Sequence, residues 1–261
     1  MARALIGGLL ARGTRASDVS VGEPSAQARQ LLAQDFNVTV YADNHAAIAA
    51  CALVIVAVKP QEAGKVLGAL TPVLQGTRPV LLSIAAGIPI ASLKRWAGPG
   101  VPVIRAMPNR AALVGAGITG AYADPDVTAA QRERAAAVMS AAGEVVWVSR
   151  ESDLDVVTAL SGSGPAYFFL LAELMMQAGI ADGLEPDAAR QLAVGTLHGA
   201  GALAHASDGD LVRLRAEVTS KGGTTEAALG VFAAADLNGI VARAVHAATE
   251  RGRDLAAKFG D

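Results

Sequence analysis

Signals for β-strands stop near residue 150, and this break limits what the chain can fold into more than any other feature of it. Up to Arg150, short β-branched runs alternate with Ala-rich stretches. Strands are predicted at 19–21, 38–40, 53–58, 79–84, 101–105, 118–122 and 145–148, with helices at 24–34, 61–74 and 128–142. Strand and helix signals in alternation imply a mostly parallel sheet covered by helices. The two runs after Arg105 leave antiparallel pairing open. From Glu151 onward the pattern is helical: 155–160, 165–182, 186–206, 210–217, 224–235 and 238–258. Turn chemistry separates several of these helices, at Gly183 before Pro186, at Ser207-Asp208-Gly209 and at Asp236-Leu237-Asn238-Gly239. The expected organisation is an α/β domain over 1–150 followed by an all-helical domain over 151–261.

A chain of 261 residues, 52% hydrophobic and 18% charged, has enough apolar material for two modest domains. Its mean hydropathy of +0.38 is high for a monomer and points to apolar surface buried between subunits. A net charge of −2 gives no electrostatic argument for nucleic acid or an anionic membrane. The lone Cys51 excludes an intrachain disulfide. His45, His198, His205 and His246 lack metal-ligand spacing, so no metal site is expected. No run of about 18 unbroken apolar residues predicts a membrane span. The opening MARALIGGLLARG reads as an amphipathic first helix of a cytoplasmic protein; its apolar core is too short and Gly-interrupted for a signal peptide.

The densest chemistry lies at 217–226, EVTSKGGTTE. Four hydroxyls and two adjacent glycines form a turn directly before an Ala-rich helical pattern. Glycine permits tight bending, and the first amides of the helix have no partner within it. Such a turn directs bare N–H groups and hydroxyls at one spot, which suits a small carboxylate. An ordinary capped helix start is the other reading of the same residues.

Taken with SGSGPAYFFLLAEL (161–174), AVKPQ (57–61) and IRAMPNRAALVGAG (104–117), the VTSKGGTTEAAL segment resembles pyrroline-5-carboxylate reductase, the last enzyme of proline biosynthesis. The resemblance runs from Met1 to about Leu255. It implies an α/β Rossmann-like dinucleotide-binding domain followed by an all-α dimerisation domain. It further implies reduction of 1-pyrroline-5-carboxylate to L-proline by hydride from NAD(P)H. NADPH is chosen as cofactor, with NADH as the other nicotinamide the family uses. The expected partners are the small-molecule substrate and further copies of the chain, as a homodimer or a ring of dimers, with no nucleic acid and no membrane.

The resemblance also assigns roles. Ser220, Gly222, Gly223 and Thr224 hold the substrate carboxylate, and the Thr225 hydroxyl reaches the ring nitrogen as the catalytic group. Lys221 stands where a Pro is frequent. Ala57, Val58, Lys59 and Pro60 touch the cofactor, Ala85 in Ala85-Ala86-Gly87 lets a nicotinamide approach, and Asn109 lies beside the nicotinamide. An acid after the second strand of this fold suits a ribose 2′-hydroxyl, and a base suits a 2′-phosphate. Glu23 leans one way; Ser25 and Arg29 lean the other. Solvated Glu23 and Arg29 with Ser25 as a helix cap, and Lys59 as a plain exposed charge, are the alternatives. The segment 161–167 is expected at the domain junction. Relatives interlock the helical domain into dimers that complete each other's site.

Family members open with a strand and a G-x-G-x-M-A loop, and Met1 and Ala2 match the end of that loop. The first strand and both phosphate-facing glycines are therefore missing from this chain. Gly7 and Gly8 fall inside the following helix and are expected to pack against the sheet. Without the central strand, two neighbouring strands lose backbone partners. A start assigned too late is the preferred explanation. Two other functions stay in play: a non-catalytic oligomerising fragment lacking the cofactor loop, and a hydroxyacid-dehydrogenase-like reductase. The latter generally leans on a catalytic Lys where this chain has hydroxyl-rich turns.

Overall fold

The computed structural model describes residues 1–260. The chain divides into two compact units, Met1–Ser163 with Ala247–Asp261, and Gly164–His246. These differ from the expected 1–150 and 151–261: residues 151–163 and the end of the last helix pack with the first unit.

The first unit begins with α1 (Ala2–Ala11) and proceeds through β1 (Ser20–Gly22), α2 (Ala26–Phe36), β2 (Thr39–Tyr41), α3 (Asn44–Ile48) and β3 (Leu53–Val56). It continues with α4 (Pro60–Thr77), β4 (Val80–Ser83), α5 (Ile90–Ala97), β5 (Val103–Pro108), β6 (Gly117–Ala123), α6 (Ala129–Ser140), β7 (Gly143–Trp147) and α7 (Asp153–Val157). Local chemistry sets many of the ends. Ser25 caps α2, and Asn37 closes it in the left-handed region at φ 52°. Pro60 occupies the first turn of α4, where its missing N–H costs nothing. Thr128 and Gln131 close a reciprocal capping box on α6.

All of the predicted strands form. β1 and β2 pair parallel as a two-stranded sheet, and β3-β4-β5-β6-β7 form a separate five-stranded one. β3, β4 and β5 are mutually parallel, with Val56 opposite Ser83 and Ser83 opposite Arg105. β6 turns antiparallel to β5, and β7 runs parallel to β6. Among the described residues, neither β1 nor β3 has a strand on its second edge.

The middle of the five-stranded sheet, β4 and β5, is buried on both faces. Leu81 and Val103 point into one cluster with Leu67 and Leu74 of α4 and Leu93 of α5. Their neighbours Leu82 and Ile104 point the other way, against Ala135 and Met139 of α6. This period-2 split of near-continuous apolar runs is what a parallel sheet covered on both sides requires. Gly8 departs from expectation. A Cβ there would sit 2.0 Å from the Ala141 carbonyl at the end of α6, so the close approach is to that helix end and not to the sheet.

The second unit holds α8 (Gly164–Ala181), α9 (Pro186–Ala206), α10 (Leu211–Glu217), α11 (Thr224–Ala234) and the start of α12 (Leu237–Gly260). α8 packs on α9, where Gly179 approaches Leu184 and Ala189. Apart from Gly164, Ala189 and Ala193, its apolar residues are at least partly open to solvent. Phe168 and Phe169 are 61% and 62% exposed. The continuous stretch Asp153–Ala181 is long and apolar enough to cross a membrane by length and composition alone.

Candidate active site

In the first unit, the parallel register brings the carboxyl ends of β3, β4 and β5 side by side, the place where open α/β sheets bind ligands. Ala57, Val58, Lys59 and Pro60 follow β3; Ala57 and Lys59 are exposed, and Lys59 precedes the first turn of α4. Ala85 follows β4 and is buried, its N–H 3.4 Å from the Ser83 hydroxyl. Ala86 beside it is exposed. Gly87 takes the left-handed φ of +75°, and a Cβ there would stand 3.4 Å from Leu255 of α12, an ordinary contact, so it is the backbone conformation that calls for glycine.

Asn109, at the end of β5, is buried, and its Oδ1 accepts from the Ile118 N–H at 3.2 Å. That bond fixes which way the amide faces. The oxygen is committed to the backbone, and the two Nδ2 hydrogens remain to donate.

Ser25 and Arg29 sit apart from this row, beyond the end of β1 in the two-stranded sheet. The Ser25 hydroxyl accepts from the Ala28 N–H, and the Ser25 N–H donates to Glu23 Oε1 at 2.8 Å. Arg29 donates from one terminal nitrogen to the carbonyls of Glu23 and Pro24, at 2.7 and 2.8 Å. The guanidinium thus clamps the turn at Glu23-Pro24 and retains further donors in its fork. Small residues at the strand ends, the oriented Asn109 amide and the Arg29 fork fit the ribose and nicotinamide portions of a dinucleotide.

Two motifs that are far apart in sequence meet in this unit. After α7 the helix widens into a π turn, Thr158–Gly162, before α8 begins. Ser161 donates to the Val157 carbonyl at 3.0 Å, and Ser163 N–H donates to Thr158 O at 2.8 Å. A Cβ on Gly162 would lie 2.7 Å from the Met107 methyl, two residues before Asn109. Single π turns of this kind recur at functional sites. Beneath them, the buried Arg105 donates to Glu151 Oε1 at 2.6 Å, and the same oxygen accepts from the Ile90 N–H at 2.7 Å. One carboxylate therefore ties β5, the start of α5 and the approach to α7. Burial raises the Asp155 carboxyl above its usual range, opposed by Arg105 and Arg253 and aided by Glu151. The sequence reading missed this cluster; its signal was a charge inside the otherwise apolar run at 101–106.

In the second unit, the predicted residues of 220–225 form one turn. Ser220 O accepts from the Gly223 N–H at 3.0 Å, and Gly222 takes the left-handed φ of +72°. Gly223 is the N-cap of α11, with Thr224 and Thr225 opening the helix. Ala227 N–H is bonded back to Gly223 O. The earlier amides of α11, on Thr224, Thr225 and Glu226, precede the helical ladder. Thr225 is half-buried, while Ser220 and Lys221 are exposed. One feature was not foreseen. The Gly222 N–H donates to Glu226 Oε2 at 2.7 Å, so a carboxylate of the chain itself already occupies part of the turn.

Two shallow surface grooves lie elsewhere, one of about 110 Å³ between α8 and α9 and one of about 420 Å³ beside Trp147, and neither contains a predicted site residue.

A paired architecture of this kind, a Rossmann-like domain with a helical one, is that of an NADP-dependent oxidoreductase: residues 1–87 match the family described as NADP oxidoreductase, coenzyme F420-dependent. Residues 151–255 match the family described as pyrroline-5-carboxylate reductase dimerisation. A pyrroline-5-carboxylate reductase of Pseudomonas aeruginosa is 43% identical over 260 residues, covering 100% of this chain and 95% of that protein. A solved pyrroline-5-carboxylate reductase from Coxiella burnetii superposes with a TM-score of 0.95 at 34% identity, covering 98% of this chain and 94% of that one. The Plasmodium falciparum pyrroline carboxylate reductase, solved with NADP bound, gives 0.83 at 26% identity, covering 97% and 94%. This chain belongs to the pyrroline-5-carboxylate reductase family. It is an NAD(P)H-dependent oxidoreductase of proline biosynthesis, converting 1-pyrroline-5-carboxylate to L-proline. The hydroxyacid-dehydrogenase reading and the non-catalytic fragment are not favoured by these relatives.

Proposed function

We propose that the turn at 220–225 grips the substrate and that Thr225 acts at its ring nitrogen. The observation carrying this is the set of amides and hydroxyls gathered at the start of α11 by the Gly222-Gly223 bend. Ser220, Gly222, Gly223 and Thr224 supply donors to the carboxylate, which the positive end of the helix also favours. Hydride is the chemistry that a bound nicotinamide supplies. Hydride from a bound nicotinamide would go to the C=N carbon, the π electrons would pass to nitrogen, and nitrogen would take up a proton from solvent. In this reading the Thr225 hydroxyl, half-buried in the first turn of α11, hydrogen-bonds to that nitrogen as its charge changes. The remaining work is orientation.

On the cofactor side, Ala57, Val58, Lys59, Pro60, Ala85 and Asn109 hold the nicotinamide half, and the Asn109 amide donates to it. Ser25 and Arg29 face the ribose, and Arg29 favours a 2′-phosphate, hence NADPH over NADH. The functional division is a dinucleotide-binding domain over 1–150 and a substrate-binding and dimerisation domain over 151–261. The exposed apolar helices of the second are covered by another copy of the chain in an obligate dimer, which can build rings. The setting is the cytoplasm, without membrane attachment.

Thr225→Ala tests the chemistry. It lowers kcat by about a hundredfold, a usual cost for a group that serves the reacting atom, and leaves thermal stability near wild type. Equal turnover in that variant removes Thr225 from the mechanism. Arg29→Ala raises KM for NADPH about tenfold, as loss of a charge-assisted hydrogen bond predicts, with little change for NADH. Equal effects on both cofactors would count against a 2′-phosphate contact.

A further inference from the structure

The Glu226 contact carries a second step, which rests on the substrate reading given above. Gly222 N–H is one of the donors assigned to the substrate carboxylate, and Glu226 Oε2 accepts from it at 2.7 Å. Glu226 stands in the first turn of α11, at the positive end of the helix dipole. Its side chain reaches back over the bend, as the third helical residue does in a capping box. Glu226 is exposed, so its carboxylate is free to reach solvent. A second carboxylate arriving at the same amides meets both an occupied donor and a like charge.

We infer that Glu226 is a built-in competitor for the substrate carboxylate: it caps the empty turn and must swing out before 1-pyrroline-5-carboxylate can bind. The residue thereby sets affinity without touching the reacting atoms. In the empty enzyme it satisfies Gly222 N–H and keeps the bend formed. On binding, that N–H passes from one carboxylate to the other, and Glu226 turns to solvent. The net gain in affinity for any acidic ligand is smaller than the bare turn would give.

Steady-state kinetics of the full-length assembled enzyme test this. Glu226→Gln keeps the shape and an accepting oxygen and removes the charge. It lowers KM for 1-pyrroline-5-carboxylate by about threefold to tenfold, the scale of one like-charge contact near the surface, and the effect falls on KM rather than kcat. Glu226→Ala shifts KM in the same direction. Raising the salt concentration narrows the gap between wild type and Glu226→Gln, because exposed charges are screened. The imine 1-pyrroline, which lacks the carboxylate, shows no such gap. An unchanged or raised KM in both Glu226 variants, with Ser220→Ala raising KM, overturns the competitor role and leaves the substrate site standing. If Ser220→Ala and Thr225→Ala also react like wild type, the turn does not hold the carboxylate and both readings fall.

Discussion

The two units of this chain are stabilised in different ways. The first closes its own core: Leu67, Leu74, Leu81, Leu82, Leu93, Ile104 and Met139 are all essentially inaccessible. The second buries Ala189 and Ala193 between α8 and α9 and leaves Phe168, Phe169, Leu203, Val231 and Phe232 open to solvent. Apolar residues left open in this number mark an interaction surface, and this region matches the family's dimerisation region. The first unit owes its fold to residues it contains. The second leaves apolar helix faces that its own residues do not cover.

The sharpest way to break this contrast is to place a charge on α8. Phe169→Asp weakens self-association by about 2 kcal/mol or more, the scale of a lost aromatic anchor. Light scattering then shows smaller species than wild type, and activity falls with them. An unchanged assembly state would mean that a partner does not cover the Phe169 side of α8.

A core truncation tests the other half. Leu82 is fully buried between β4 and α6. Leu82→Ala costs about 2–5 kcal/mol through lost burial and the cavity left behind, while the assembled state persists in the molecules that remain folded. Chemical denaturation read at several protein concentrations separates the two cases. The Phe169→Asp loss depends on concentration, because it acts through association. The Leu82→Ala loss adds a term that does not.

The first unit also holds a partly buried ion pair, Arg105–Glu151, beside exposed ones such as Arg15–Asp18. Glu151→Ala leaves the buried Arg105 guanidinium without its counter-ion and the Ile90 N–H without its acceptor. The Glu151 side chain is 31% exposed, which discounts the penalty of a wholly buried pair to about 1–3 kcal/mol. In the second unit, Arg213 pairs with Asp208 and Glu217 on an exposed helix face. Glu217→Ala there costs about 0.5 kcal/mol or less. Comparable losses from both substitutions in urea titrations would erase the distinction.

How much of this was legible in the sequence depended on how local the determining residues are. The strands stood out because β-branched runs alternate with Ala-rich segments, and the helices of the second unit because their turns carry Gly, Pro, Asp and Asn. The short helices α3 and α5 were missed, since one or two turns give too little periodicity to register. Pairing direction after β5 was left open between parallel and antiparallel: β6 is antiparallel to β5 and β7 parallel to β6, for reasons of chain path that no residue pattern records. The turn at 220–225 was readable because its donors are contiguous. Arg105 and Glu151 are 46 residues apart, and Gly162 meets Met107 only through the fold. Glu226 was in plain view, but its commitment to Gly222 depends on a side-chain conformation.

The smallest expected effect concerns His45, at the edge of the first unit's core. Its Nδ1 lies 2.8 Å from Asp43 Oδ1, and its Nε2 lies 2.9 Å from the Ala69 carbonyl of α4. A neutral imidazole has one N–H and can donate to only one of these acceptors; the imidazolium donates to both. Asp43 chiefly, with the Ala69 carbonyl behind it, therefore raises the His45 pKa above the usual value of about 6.5. The folded state binds this proton more tightly than the unfolded chain, so the contribution is fully present below about pH 6.5 and is lost as pH rises through the raised folded value. Asp43 is lowered by the same His45 contact, and its share is present above about pH 4 and lost as pH falls through its depressed value. His45→Gln should thus narrow the stability gap to wild type as pH rises from about 6 to about 9. The ring is exposed and linked to one helix turn, so the change in melting temperature is slight beside those of the core variants. Titration of the His45 ring protons by NMR gives the direct check: a midpoint below about 6.5 would show that the two-acceptor bridge does not hold in solution.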